Sequence, residues 1–114
     1  MTDPSTPTPD AGATTWVVDD EAWDHDEETG GEVAMLVEIA SVQAGLWRPG
    51  RRLGPIDVDL DHTEVILVLS GSGSLEVDGG RPLELTPGTA ARINAGAHTR
   101  WLVSDDFSEV WIYV

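Results

Sequence analysis

With 114 residues, 40% of them apolar, the chain is long enough for one hydrophobic core and too short for two. Twenty-one acidic side chains stand against six basic ones, all arginine, for a net charge of -15; a field of that sign repels phosphate backbones and anionic lipid surfaces, which excludes nucleic acid and membrane as partners. Cysteine is absent, so disulfides, zinc-thiolate sites and thiol nucleophiles are excluded together.

No apolar run approaches the ~18 residues that a spanning helix requires, and the opening MTDPSTPTPD has neither the basic start nor the apolar core of an export signal. A soluble, cytoplasmic protein is expected. Residues 1–13 are rich in proline, threonine and aspartate with almost nothing to bury, which predicts a disordered leader ahead of one domain over residues 14–114. TTWVV, starting at Thr14, predicts a first strand. The acidic run Asp19 to Glu28 follows; Asp24, His25, Asp26, Glu27 and Glu28 are metal-ligand residue types, but the run leads into Thr29-Gly30-Gly31 without an apolar pattern and reads as a solvated loop.

From Glu32 onward the chain is punctuated as strands. EVAMLVEIA (Glu32 to Ala40) and SVQAGLW (Ser41 to Trp47) are apolar runs of strand length, and Arg48-Pro49-Gly50 is a turn. Ile56, Val58 and Leu60 alternate with Asp57 and Asp59, so one side of this strand is buried and the other meets water or a polar cavity. His62 to Gly71, HTEVILVLSG, is a buried strand with an ionisable head; Asp78-Gly79-Gly80 marks a hairpin, Pro87-Gly88 and Asn94-Ala95-Gly96 mark turns, and EVWIYV closes the chain as a strand. Short strands spaced by about eight to twelve residues with no helix predict an all-β antiparallel sandwich or barrel.

Alternation also selects candidate site residues. His62, Glu64, Ile66 and Val68 share one parity, and Thr99, Trp101 and Val103 share another. If both rows face inward they enclose a hollow, with the acid-base pair His62 and Glu64 at its mouth and Trp101 as a wall. A carboxylate opening an apolar strand needs a partner, and a carboxylate beside a histidine in a partly desolvated hollow suits proton transfer near neutrality. Arg51, Arg52 and Arg100 could hold an anionic group of a ligand, and Trp47 and Tyr113 could add stacking or a hydroxyl. Each has a plainer reading: tryptophan as core, His62 as an exposed cap, arginine as an offset to neighbouring acids.

The order of turns resembles the cupin superfamily of small jelly-roll barrels over residues 32–114. Glu64 to Gly71 fits the end of that superfamily's first signature segment, and Gly88 and Gly96 fit the glycines of the second, with Asn94 in the place of its proline. Trp47-Arg48-Pro49-Gly50, the interval from Glu64 through Leu69 to Gly71, and Asn94-Ala95-Gly96 through Trp101 and Val103 resemble the branch of ethanolamine-utilisation cupins and ureidoglycine aminohydrolase-like domains. The resemblance implies a single-domain cupin jelly-roll β-barrel with its site inside. It also marks departures. The two metal-binding histidines of the first segment fall on Asp57 and Asp59, the third on Thr99, and the asparagine on Val103; His98 is one step out of register.

The three-histidine, one-glutamate centre of metal cupins is therefore not intact, and two readings stay open. Asp57, Asp59 and Glu64 could form an all-carboxylate site for a hard divalent ion such as magnesium, manganese or calcium, with iron the remaining candidate. Alternatively, the two aspartates are the wet side of a strand and no cofactor is bound. The second is favoured, because three facing carboxylates without a counter-charge are costly. The function expected is a small metal-free enzyme performing acid-base chemistry (isomerisation, cyclisation, elimination or hydrolysis) on a small polar metabolite. Glu64 and His62 would exchange the proton, and Trp101, Arg100, His98, Thr99, Arg51, Trp47, Asp59 and Tyr113 would line the substrate. A non-catalytic ligand-binding or assembly module is the alternative. Apolar strands at Glu32 to Ile39 and Glu109 to Val114, taken as edges, predict a homodimer.

Overall fold

Strand periodicity governs almost every element of the computed structural model, which describes residues 8–10, 12–15, 17–51 and 54–114. In chain order the strands are β1 (Thr8–Asp10), β2 (Ala13–Thr15), β3 (Asp24–His25), β4 (Glu32–Ile39), β5 (Val42–Arg48), β6 (Ile56–Asp59), β7 (Glu64–Ser70), β8 (Gly73–Val77), β9 (Leu83–Leu85), β10 (Ala90–Ile93), β11 (His98–Val103) and β12 (Ser108–Tyr113). Among the described residues the sole helical element is a 3-10 turn at Asp20–Ala22, capped by the Asp19 carboxylate, which accepts from the Glu21 amide at 3.0 Å. No helix among them is long and apolar enough to cross a membrane.

Two antiparallel sheets form the body, six strands in the order β10-β7-β12-β5-β4-β3 and four in the order β6-β11-β8-β9. This is the antiparallel sandwich that the strand spacing predicts, in the jelly-roll form that the cupin resemblance implies. Its core lies between the sheets, where Trp47, Ile56, Val58, Leu60, Ile66, Val68, Leu75, Leu85, Ile93, Trp101, Phe107 and Trp111 are buried together. β6 shows the alternation most plainly: Ile56, Val58 and the following Leu60 are buried while Asp57 and Asp59 face solvent. Because residues directly opposite across an antiparallel pair share a face, inner positions run across each sheet in rows. In the six-stranded sheet these rows are Glu64-Tyr113-Gln43, Ile66-Trp111-Gly45-Met35 and Val68-Glu109-Trp47-Val33.

Turn chemistry fixes these registers. Asp78 and Gly79 both adopt positive φ, 52° and 71°, and the Gly80 amide donates to the Val77 carbonyl at 3.0 Å, the two-residue turn whose twist suits a hairpin. Gly45 leaves room for a neighbour: a Cβ there would stand 2.9 Å from the Trp111 ring and 2.7 Å from the Ala34 carbonyl oxygen. β4 and β12 each carry a bulge, at Met35/Val37 and Ser108/Glu109; the second skips one residue of β7 and brings Glu109 opposite inward-facing Val68.

Three expectations change. Of the leader expected to be disordered, Thr8–Asp10 pairs with Ala13–Thr15 as a separate hairpin, and the rest lies outside the described residues. The first strand read in TTWVV ends at Thr15, while Val17 and Val18 are exposed and unpaired in any sheet; Trp16 is outside the described residues. Finally, β4 and β12 are not edges. β12 lies between β7 and β5, β4 between β5 and β3, and the edges are β10, β3, β6 and β9.

Candidate functional site

A cavity of about 210 Å³ opens between the two sheets, walled by Trp47, Trp101, Trp111 and Tyr113 and carrying the carboxyl groups of Asp26, Glu28, Glu64 and Glu109. Glu64 begins β7, the first position at which strand parity applies, and its parity with Ile66 and Val68 turns it inward, 6% exposed. The Tyr113 hydroxyl, from the residue directly opposite, hydrogen-bonds to its carboxyl. Burial disfavours the charged form and pushes the Glu64 pKa up to about 7; the Tyr113 bond opposes that rise, and the charge of Glu28 adds to it. Tyr113 is itself raised above its ordinary range, by burial and then by the charges of Glu64 and Glu28, so its hydroxyl stays a donor.

Glu109 is the second buried carboxyl, 5% exposed. Burial, then the charge of Glu64, raises its pKa well above the ordinary carboxyl range, and its Oε2 is buried without a hydrogen-bond partner. Two indole groups are tied into the wall. Trp47 Nε1 donates to Thr29 Oγ1 at 2.9 Å, and that hydroxyl donates to Asp26 at 2.6 Å. Trp101 Nε1 donates to Thr99 Oγ1 at 2.9 Å, and Thr99 donates to the Val58 carbonyl at 2.7 Å. With both N–H groups consumed, what these indoles offer a ligand is ring surface. Trp111 and Tyr113 meet with ring centroids 4.8 Å apart.

The structure therefore divides the candidates read from sequence. Glu64, Trp47, Trp101 and Tyr113 line the cavity, and Thr99 is fully buried behind Trp101. His62 does not share the face of Glu64: it precedes the strand, is exposed, bonds through Nδ1 to Asp61 at 2.6 Å and stacks on Tyr113 at 5.6 Å between centroids. The in-or-out question for His98 and Thr99 resolves by parity alone: Thr99 faces in, and His98 faces out, where its Nδ1 bonds to Asp59 and gains proton affinity from that contact. Arg100, also outward, lies 3.9 Å from Asp57. Arg51 is exposed, and Arg52 lies outside the described residues. Arg51 and Arg100 do not line the cavity, and among the described residues nothing in its lining is basic.

The metal centre implied by the cupin resemblance does not fit these residues. Asp57 and Asp59 project from the outer face of β6, Glu64 faces inward, and the hydroxyl of Thr99 is spent on the Val58 carbonyl. Among the described residues no three histidine or acidic side chains converge as a metal site.

Sequence reading missed Asp26, Glu28 and Glu109. A signal existed for Glu109, since it alternates with Trp111 and Tyr113 in an otherwise apolar strand, the same argument that singles out Glu64. Asp26 and Glu28 had none: the run read as a solvated loop is held to the barrel by β3 pairing with β4 and by Thr29 bonding Trp47.

The comparisons agree with this architecture. Residues 40–109 match the family model of the EutQ-like cupin domain. A Salmonella typhimurium LT2 protein provisionally assigned as ethanolamine utilization protein Q superposes with a TM-score of 0.76 at 14% identity, over 95% of this chain and 91% of that one. The EutQ protein of Clostridium difficile gives 0.67 at 16%, over 99% and 96%. A Ralstonia eutropha JMP134 protein provisionally assigned as a mannose-6-phosphate isomerase gives 0.59 at 19%, over 71% and 81%. Curated proteins yield no significant sequence match. With over half its length matched and the jelly roll in place, the chain belongs to the EutQ-like cupin domain family.

Proposed function

We propose that this cupin is an enzyme performing acid-base chemistry on a small polar metabolite held between its sheets, with Glu64 as the group that takes up and returns the proton. The observation that carries this reading is the state of Glu64: a buried carboxyl at the cavity wall, fixed by Tyr113 and poised at about 7. Both of its protonation states are populated near neutrality, which is the condition for one residue to act as base and then as acid. Tyr113 positions the carboxyl, and Glu109, whose proton affinity burial raises, is the second carboxyl in the lining. His62 has no part in the proton transfer, because it is not in the cavity lining. Isomerisation, cyclisation, elimination and hydrolysis all need such a group. An isomerase assignment among the solved structures of this fold is in keeping with the first of these. Among the described residues no set of side chains is placed to hold a metal for such a step.

The test is a screen of small polar metabolites followed by proton NMR in D2O, which reads both conversion and solvent exchange at carbon. Glu64→Gln is expected to lower the rate by about 10²- to 10⁴-fold with the fold intact, and the wild-type rate is expected to change with pH around 7. An undiminished rate in that variant ends the proposal. A ligand-binding module is the second reading, favoured by the position of His62 outside the cavity. Tight binding of a metabolite that is never converted selects it.

A further inference from the structure

Charge and ring surface in the cavity point to a ligand class. We infer that the cavity binds a small organic cation, an alkylammonium seated against the rings of Trp47, Trp101 and Trp111 with its charge answered by Glu64 and Glu109. The inference deepens the proposed function, resting on it for the cavity as the working site and naming the class of molecule that enters.

The first observation is Glu109. Buried polar atoms in folded proteins nearly always have a partner, yet Oε2 of this 95%-buried side chain has none, although the residue lines an open cavity. A carboxyl oxygen left so lacks a donor among the described residues, and the cavity that Glu109 lines is the space beside it from which one can come. The second observation is the sign of the lining. Asp26 and Glu28 come from the segment between β3 and β4, Glu64 from β7, and Glu109 and Tyr113 from β12; none is basic. Among the described residues an anionic ligand would meet carboxyl groups and no basic side chain, whereas a cation favours the ionised form of those carboxyls. The whole-chain charge of -15 adds to the attraction for cations.

The third observation separates an organic cation from a metal ion. Hard ions require several converging oxygens, and no such group of side chains exists among the described residues. The walls are aromatic, and a ring face attracts an ammonium group through its quadrupole, most strongly where water is excluded. Size sets the upper limit. A cavity of about 150 Å³ holds benzene, so about 210 Å³ suits a molecule somewhat larger than that and excludes a nucleotide.

Entry of a cation has a consequence for protons. It favours the charged forms of Glu64 and Glu109, so binding releases protons and strengthens as pH rises through about 7. Of the groups facing these two, Tyr113 favours the ionised form of Glu64 through its hydrogen bond, while the charge of Glu28 opposes it and that of Glu64 opposes ionisation of Glu109, repulsions that a bound cation offsets; His62, stacked on Tyr113, lies outside the lining.

The experiment is calorimetric titration of the full chain with choline, with its neutral isostere 3,3-dimethylbutan-1-ol, with acetate and with magnesium chloride. Choline is expected to bind at least tenfold more tightly than the isostere, to change tryptophan fluorescence, and at pH 7 to release protons, seen as a heat that varies with buffer ionisation. Acetate and magnesium are expected not to bind. Glu109→Gln is expected to weaken choline at least tenfold; the choline-to-isostere comparison needs no variant and decides the matter even if that one fails to fold. Equal binding of choline and its isostere, tighter binding of magnesium, or no binding of choline or tetramethylammonium at millimolar concentration overturns the inference. The two proposals fail separately: a cation bound but never converted removes catalysis alone, while Glu64-dependent turnover of a neutral or anionic metabolite, without ammonium binding, removes the cation alone.

Discussion

Glu64 and Glu109 keep protons that they would lose in the unfolded chain, and this has a sign that can be measured. Both folded pKa values are raised by burial, so the folded state binds more protons than the unfolded state as pH rises above the ordinary carboxyl value. The stability linked to them is complete below about pH 4.5 and is lost as pH rises through about 7 and beyond. A rise from 4.5 to about 7, at about 1.4 kcal/mol per unit, makes the Glu64 contribution about 3 kcal/mol. The wild-type melting temperature is expected to fall between pH 5 and pH 8. Glu64→Gln, which keeps an acceptor for Tyr113 but cannot ionise, is expected to flatten that fall and to be the more stable protein at pH 8. Parallel wild-type and variant curves would show that Glu64 titrates normally.

Among elements, β5 and β12 matter most to the site, because their pairing sets Trp47 beside Glu109 and Trp111 beside Gly45. Gly45 is required by packing: the Trp111 ring lies where a side chain would begin, and the Ala34 carbonyl closes the other side. Gly45→Ala is expected to cost about 1–3 kcal/mol, since backbone must move, and to displace Trp111 and weaken any ligand held against it. Chemical denaturation with tryptophan fluorescence reads both effects; an unchanged midpoint would mean that the sheet yields freely there. Strand alternation made much of this legible. Parity alone turns Thr99 and Trp101 inward and His98 and Arg100 outward. It failed at His62, two residues before β7 begins, because a two-residue spacing implies a shared face only within a strand.

For the whole molecule, the sequence argument for a homodimer loses its premise, since the apolar strands taken as edges are interior to the larger sheet. What remains for association is the outer surface, where Leu67 and Leu69 of β7 and Leu102 of β11 are about half exposed. A homodimer is proposed on that ground, and sedimentation equilibrium is expected to give twice the chain mass; a clean monomer counts against it.

The residues themselves determined the antiparallel sandwich and the inward direction of Glu64 and Trp101, because alternation, turn glycines and β-branched runs are local quantities that survive reading one residue after another; the jelly roll and its family came from motifs that resemble the cupins. Only the tertiary structure decided the character of the cavity. Glu109 faces it beyond a bulge in β12, Asp26 and Glu28 arrive on a loop docked through Thr29 and Trp47, and Arg51 and Arg100 stay out of its lining. Those facts rest on contacts between segments far apart in sequence, and no local period encodes which distant charges come to share a hollow.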